Sequence, residues 1–203
     1  KSKVYFYSIK EKSSNTENYL KAFKLFGEHN ISNMMAAITV AEILEIPISD
    51  ILKQIKTFKD VPHRQEFIKE IKGVKYFNDT SATMPDAAVE AIKTFKVRFA
   101  GSKIILIAGG QNKNLKFDKM IDEIKKKVDH LVLLPGTASD IIKEKLKGEY
   151  DIVKAESMKE AVLKAKELAN KGDIVLLSPG ATSFNLFKNE FDRGNQFIKE
   201  IRK

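Results

Sequence analysis

Four short stretches of this chain carry residue types that hold anions and sugars. They are His63-Arg64-Gln65-Glu66, Asn78-Asp79-Thr80-Ser81-Ala82-Thr83-Met84-Pro85-Asp86, Gly109-Gly110-Gln111-Asn112-Lys113 and Ser178-Pro179-Gly180-Ala181-Thr182-Ser183. Asp79 follows the apolar run Val74–Phe77, and a carboxylate at such a strand end accepts two hydrogen bonds from a ribose diol. A turn or cap aspartate is its plain structural alternative. Arg64 offers a planar guanidinium fork matched to phosphate oxygens, against the alternative of a surface ion pair. Gly109-Gly110 lets backbone approach a ligand, and Lys113 adds a point cation for a carboxylate or phosphate. The same residues also read as a flexible turn with a solvated lysine. The pattern is neither a P-loop nor a dinucleotide fingerprint. Ser178–Ser183 leads from a strand toward a helix start, where free N–H groups and the Thr182 and Ser183 hydroxyls clamp an anion or simply cap the helix. It lacks the G-x-S-x-G of a nucleophile elbow. A fifth pair, Asn30 and Asn33, sits one helical turn apart and presents two amides able to read a purine edge or to cap a helix.

The elements that position these groups follow from hydrophobic period. Residues 3–9 predict a strand and Ser13–Asn18 a loop. Glu28–Leu44 carries a helical pattern; Pro47 interrupts it, and Ser49 is the expected cap of a second helix. Phe58–Pro62 reads as a linker. Glu66–Ile71 and Val74–Phe77, separated by Lys72-Gly73, predict a two-residue hairpin. Strands at Lys103–Ala108, His130–Leu134, Asp151–Val153 and Ile174–Leu177 then alternate with helices. Those helices are a first one capped by Thr83 with Pro85 in its opening turn, then Phe117–Lys127, Ala138–Leu146, Met158–Ala169 and most of Phe184–Ile201. Such alternation predicts an α/β fold: a Rossmann-like, mainly parallel sheet with helices on both faces and an N-terminal β-hairpin. Ligands of such sheets collect beyond the strand carboxyl ends, where the stretches after Phe77, Ala108 and Leu177 fall.

Composition narrows the function classes. The 203 residues are 43% hydrophobic, enough for a packed core. Cysteine is absent, which excludes disulfides, thiolate metal sites and cysteine nucleophiles. His29, His63 and His130 have no metal-site spacing. Apolar runs have buried-strand length, so no membrane span is expected. The net charge of +9 comes mainly from lysines spread over helix faces, with arginine only at positions 64, 98, 193 and 202. That pattern reads as a solvated surface; no nucleic-acid partner is expected, though the positive field favours anionic nucleotides. The opening Lys-Ser-Lys-Val-Tyr has no methionine and no secretory h-region. A piece of a longer, cytoplasmic and monomeric protein is expected.

Read together, Gly27-Glu28-His29-Asn30…Asn33, Pro62-His63-Arg64-x-Glu66, Asn78-Asp79-x-x-Ala82-Thr83, Gly109-Gly110-x-x-Lys113 and Leu177-Ser178-Pro179-x-x-x-Ser183-Phe184…Phe187-Lys188-Asn189…Arg193-Gly194 resemble the Mur ligases, and among them the D-glutamate-adding member. The resemblance runs from about residue 20 to the end. It implies that residues 1–57 are the C-terminal remnant of a central ATP-binding domain and that residues 58–203 are the C-terminal domain. It implies an ATP- and Mg2+-dependent ligase joining D-glutamate to UDP-N-acetylmuramoyl-L-alanine through an acyl phosphate, in peptidoglycan synthesis. By the same resemblance Asn30 and Asn33 contact adenine, Arg64 contacts phosphates and Asp79 holds the ribose. Thr83, Lys113, Ser183 and Phe184 surround D-glutamate, with Lys113 and Arg64 the groups nearest the chemistry. The family's P-loop, metal ligands and carbamylated lysine have no counterpart in these residues, so the fragment alone is expected to be inactive.

Several positions depart from the family pattern. Ser81 stands for lysine, Met84 for asparagine, Asn114 and Lys116 for glycine and aspartate, and Glu190 for an aromatic of the glutamate pocket. A divergent ligase for another acidic amino acid is one alternative. A non-catalytic Rossmann-like nucleotide-binding module is another.

Overall fold

A computed structural model describes residues 3–7, 16–23, 27–58 and 61–203. The chain divides into two compact units, Lys1–Asp60 and Val61–Lys203. In the first, helices α1 (Thr16–Ala22), α2 (Glu28–Ile43) and α3 (Ile48–Thr57) pack through Tyr19, Met34, Met35, Ile38, Ile51 and Ile55. Three sequence expectations fail here. Residues 3–7 form no strand; residues 8–9 lie outside the described residues. The run Val4-Tyr5-Phe6-Tyr7 has the β-branched and aromatic residues that favour strands, but a strand needs a hydrogen-bonded partner. Residues 16–18 open α1 instead of forming a loop, because burial of Thr16 and Tyr19 outweighs their polar surroundings; 13–15 lie outside the described residues. Pro47, not Ser49, is the N-cap of α3. Part of the expected linker, 59–60, is also outside the described residues.

The second unit is built on a six-stranded sheet in the order β1-β2-β6-β3-β4-β5. Its strands are β1 (Glu66–Ile71), β2 (Val74–Asn78), β3 (Ile104–Gly109), β4 (His130–Leu134), β5 (Ile152–Lys154) and β6 (Ile174–Leu177). Only the β1–β2 pair is antiparallel. Its turn places Lys72 and Gly73 at φ 49° and 81°, the left-handed pair that matches strand twist in a two-residue hairpin. The chain crosses from β2 over to β3, runs outward to β5, and returns to insert β6 between β2 and β3. Ligands of such open sheets generally bind beyond the strand carboxyl ends, at the point where the strand order reverses.

Strand parity decides the two faces. Phe77, Ile104, Leu106, Ala108, Leu131, Leu133, Ile174 and Leu176 pack under α4 (Pro85–Arg98), α5 (Asp118–Lys127) and α6 (Thr137–Lys145). Tyr76, Ile105, Ile107, Val132, Leu134, Val175 and Leu177 face α7 (Met158–Leu168) and α8 (Glu190–Arg202). Each fully buried aliphatic side chain contributes about 1.5–3 kcal/mol of transfer free energy, so this double-sided core holds the strand ends rigid. Lysines of the outer helices pair with acids, as in Lys127–Glu123 and Lys164–Glu160.

Helix starts use local chemistry. Pro85 occupies the first turn of α4, but Met84 is its N-cap and Thr83 is not. Asn189 Oδ1 accepts from Asp192 N at 2.8 Å while Asp192 Oδ2 accepts from Lys188 N at 3.0 Å, which fixes the start of α8. Residues 184–189 are therefore turns, and the helix expected from Phe184 begins at Glu190.

Candidate functional site

The loop after β2 is the centre of the rim. Asp79 is 6% exposed. Its Oδ2 accepts from Ser178 Oγ at 2.7 Å and its Oδ1 from Gln65 N at 3.2 Å. Burial pushes its pKa up to about 7, although both hydrogen bonds and the nearby Arg64 guanidinium pull it down. The carboxylate thus sits at the strand edge, held by two donors, with lone pairs left for further hydroxyls.

The turn bearing Arg64 is folded onto that loop. His63 and Gln65 adopt left-handed backbone, φ 65° and 46°, which is uncommon for residues with a Cβ. This turns the Gln65 N–H toward Asp79. Ser81 N donates to His63 O at 3.1 Å, and Asn78 Nδ2 lies 3.0 Å from His63 Nδ1. Glu66 Oε2 accepts from His63 N at 2.9 Å. Arg64 itself stays exposed beside the buried carboxylate.

The remaining loops meet the same rim. Gly180 N donates to Ala82 O at 2.9 Å, joining the β6 loop to the residue before Thr83. Gln111 and Thr182 exchange backbone hydrogen bonds at 3.0 Å each, joining the β3 loop that bears Lys113 to the residue before Ser183. Thr83 is half-buried, Lys113 exposed, Ser183 buried, and Phe184 projects into solvent. Arg64, Asp79, Thr83, Lys113, Ser183 and Phe184 thus lie on loops stitched to one edge of the sheet. Asn30 and Asn33 lie on α2 in the other unit, Asn30 half-buried and Asn33 exposed.

One expectation changes its object. The Gly109-Gly110 approach is made to protein, not left for a ligand. A Cβ on Gly109 would lie 2.0 Å from Ser139 Oγ, and one on Gly110 2.2 Å from Thr182 O.

Sequence reasoning missed the group that locks the rim. Arg193, on the first turn of α8, has no solvent exposure. It donates from Nε to Thr80 Oγ1 at 2.9 Å, from Nη2 to Thr80 O at 2.8 Å and from Nη1 to Ala181 O at 3.0 Å. Thr80 Oγ1 in turn donates to Glu190 O at 2.8 Å. One guanidinium therefore ties the Asp79 loop to the Ser183 loop. Burial lowers its pKa to about 10, so it remains charged near neutrality. Its neighbour Gly194 lets α8 approach: a Cβ there would stand 2.6 Å from Thr80 Cγ2 and 2.7 Å from His63 Nδ1. The available signal was spacing. Arg193 shares a helix face with Phe197 and Ile201, both buried, and a charge in that row has to find internal partners.

Among the described residues, no group of three or more His, Cys, Asp or Glu side chains stands close enough to hold a metal ion. No helix among them is long and apolar enough to cross a membrane.

A mainly parallel α/β layer with its loops gathered beyond the strand ends is a Rossmann-like domain. A family model described as Mur ligase, glutamate ligase domain, matches residues 63–180. The chain belongs to the Mur ligase family. It is 44% identical over 178 residues to the UDP-N-acetylmuramoylalanine–D-glutamate ligase of Caldanaerobacter subterraneus subsp. tengcongensis, a match covering 86% of this chain and 38% of that protein. The enzyme of the same name from Clostridioides difficile is 41% identical over 176 residues, with 86% and 38% covered. The chain spans about 38% of the length of these relatives. Solved structures share the fold at low identity. UDP-N-acetylmuramate-alanine ligase from Thermotoga maritima superposes with a TM-score of 0.67 at 16% identity, covering 89% of this chain and 39% of that one. Folylpolyglutamate synthase from Mycobacterium tuberculosis, complexed with ADP, gives a TM-score of 0.67 at 15% identity, covering 89% and 42%.

Proposed function

We propose that these 203 residues are the nucleotide- and amino-acid-facing part of an ATP-dependent ligase that adds D-glutamate to UDP-N-acetylmuramoyl-L-alanine in peptidoglycan synthesis. One observation carries the reading: Asp79, held by Ser178 and Gln65 beside Arg64, at the ligand edge of a sheet whose chain is 44% identical to a D-glutamate ligase. Residues 1–57 would close a central ATP-binding domain, and 58–203 would form the C-terminal domain.

The donor set suits a nucleotide. A buried carboxylate with spare lone pairs matches a ribose diol, and an exposed guanidinium beside it matches phosphate oxygens. Asn30 and Asn33 would meet adenine. Thr83, Lys113, Ser183 and Phe184 would enclose D-glutamate. Magnesium has no candidate site among the described residues, so its ligands would come from elsewhere in the parent protein. In the reaction the D-glutamate amine attacks an acyl phosphate of the alanyl carboxylate, giving an amide and releasing phosphate. Lys113 and Arg64 would act as fixed cations where negative charge gathers. The sequence lacks a P-loop pattern, so the 203 residues alone would release no ADP. The reading is of a cytoplasmic enzyme, where its nucleotide substrates are, working as a monomer.

The test is ADP release by the intact parent enzyme. Turnover should require D-glutamate and UDP-N-acetylmuramoyl-L-alanine, and Asp79→Ala should raise the KM for ATP. Turnover without D-glutamate, or ADP release by the 203 residues alone, contradicts the reading. A second reading, another acidic amino acid as acceptor, is favoured by Glu190. It stands half-buried at the start of α8, where the family carries an aromatic, and gives its backbone carbonyl to Thr80. Running the same assay over acidic amino acids separates the two.

A further inference from the structure

We infer that Thr137, on the first turn of α6, is a positioning residue that sets where Lys113 stands; its catalytic consequence rests on the reading of Lys113 as an amino-acid-binding cation. Lys113 lies at the exposed tip of the loop after β3, away from any regular element. Two residues before it, Gln111 is fixed by its backbone pair with Thr182. Two residues after it, Leu115 N donates to Asn112 Oδ1 at 2.9 Å. Between those anchors the path of the chain depends on Asn112, whose N–H donates to Thr137 Oγ1 at 3.0 Å.

The Thr137 hydroxyl is used twice. It accepts from Asn112 N, which can only donate, so its own proton is free for Gln111 Oε1 at 2.7 Å. The Thr137 N–H also reaches Gln111 Oε1, at 3.3 Å, which fixes the amide with its oxygen toward α6. One side chain therefore binds the side chain of Gln111 and the backbone of Asn112 together.

This reach exists because the two turns nearly touch. Ala138 N donates to Gly110 O at 2.9 Å. Gly136 has φ 140°, and a Cβ there would lie 2.2 Å from Gly110 O and 3.0 Å from Gln111 N. Any side chain at 136 would push α6 off the loop and carry the hydroxyl out of range. The bonds are solvent-exposed, so water replaces them readily when the hydroxyl is removed. Loss of Thr137 should therefore displace Lys113 without unfolding the domain.

Thr137→Val keeps the branched shape and removes only the hydroxyl; Thr137→Ser keeps the hydroxyl. In the intact ligase, Thr137→Val should raise the KM for the acidic amino acid about tenfold, the scale of a small misplacement of a binding group. The KM for ATP should be unchanged, and Thr137→Ser should behave as the parent. An unchanged amino-acid KM, an equal rise in both KM values, or failure of the serine variant to recover overturns the inference. If the intact enzyme uses no acidic amino acid, the proposed function fails, and the clamp is read by amide hydrogen exchange instead. Exchange at Asn112 should then be about tenfold faster in Thr137→Val and normal in Thr137→Ser, and equal exchange in all three overturns it.

Discussion

Ser178 Oγ donates to Asp79 Oδ2 at 2.7 Å, across 99 residues of sequence and between adjacent strands β2 and β6. The pair records how the sheet makes its rim. β6 returns from the far edge of the sheet to lie beside β2, and its first loop residue meets the first loop residue of β2. Two donors orient the carboxylate in advance, which would lower the ordering cost of the nucleotide binding proposed for it. Its burial also leaves it poised near neutrality, at a pKa of about 7 against an ordinary 3.8.

That raised pKa fixes a sign. Between pH 3.8 and about 7 the folded state holds a proton on Asp79 that the unfolded chain has released. The contribution to stability is complete below pH 3.8 and is lost as pH rises through about 7. Asp79→Asn cannot ionise. Relative to the parent, it should gain stability as pH rises through that window, by at most about 4 kcal/mol. Urea unfolding at pH 4.5, 6 and 7.5 measures it, and a stability difference independent of pH would remove the buried-carboxylate argument.

Ser178→Ala removes one donor from the carboxylate. That bond pulls the Asp79 pKa down, so its loss pushes the pKa further up and weakens Asp79 as an acceptor at neutral pH. A hydrogen bond to a charged group contributes about 1.5–3 kcal/mol, so nucleotide affinity of the intact ligase should fall roughly tenfold or more. Titration calorimetry with ADP reads this directly. The loss should shrink as pH rises past the variant's raised pKa, where Asp79 is ionised in both forms.

The fold was legible because its strands are buried on both faces. Ile104-Ile105-Leu106-Ile107-Ala108 and Ile174-Val175-Leu176-Leu177 are unbroken apolar runs, which parallel strands covered by helices require. The hairpin was legible from Lys72-Gly73, and α5 from Met120, Ile121 and Ile124 on one face. What escaped depended on partners that local pattern does not encode. Residues 3–7 have the aromatic and β-branched composition of a strand yet form none. The α1 helix is seven residues long, too short for periodicity to register, and is held by the burial of Tyr19.

The candidate site divides the same way. Asp79 and Arg64 stand out by residue type at a strand end and a turn. Their holders do not: Ser178 is distant in sequence, and the Gln65 donor is a backbone N–H aimed by a left-handed turn at a residue with no sequence mark for it. Arg193 entered the sequence reading only as part of the Arg193-Gly194 pair of the family pattern, without a role, because the loop carbonyls that it joins, Thr80 O and Ala181 O, are distant or unmarked in sequence.

Gly194→Ala tests the contact between α8 and that rim. Alanine is the better helix former by about 1 kcal/mol, which taken alone predicts stabilisation. The new Cβ would stand 2.6 Å from Thr80 Cγ2, a short branched side chain without freedom to swing away. Overpacking of this kind costs about 1–3 kcal/mol and should win. Thr80→Ser deletes the clashing methyl and keeps the hydroxyl that bonds Arg193 and Glu190. Combined with Gly194→Ala it should recover part of the loss, a non-additivity that a double-mutant cycle by urea unfolding detects.

Arg193 tests whether the rim is held by one buried cation. Arg193→Met matches much of its volume and leaves Thr80 O and Ala181 O buried without those donors. Each unsatisfied acceptor costs about 1–3 kcal/mol. The change also abolishes the penalty of burying a charge, which is why burial lowers the Arg193 pKa to about 10. The two effects oppose each other, and a net loss of roughly 2–4 kcal/mol is expected because two separate loops lose their common tie. Arg193→Lys should fall between, since one ammonium cannot span Thr80 and Ala181 as a planar fork does. The pH dependence distinguishes this from the Asp79 effect. Arg193 stays protonated through pH 5–8, well below about 10, so its variants should lose the same stability at each pH in that range. A loss that varied steeply with pH there would mean that Arg193 acts through the ionisation of Asp79 and not through the carbonyls of the two loops.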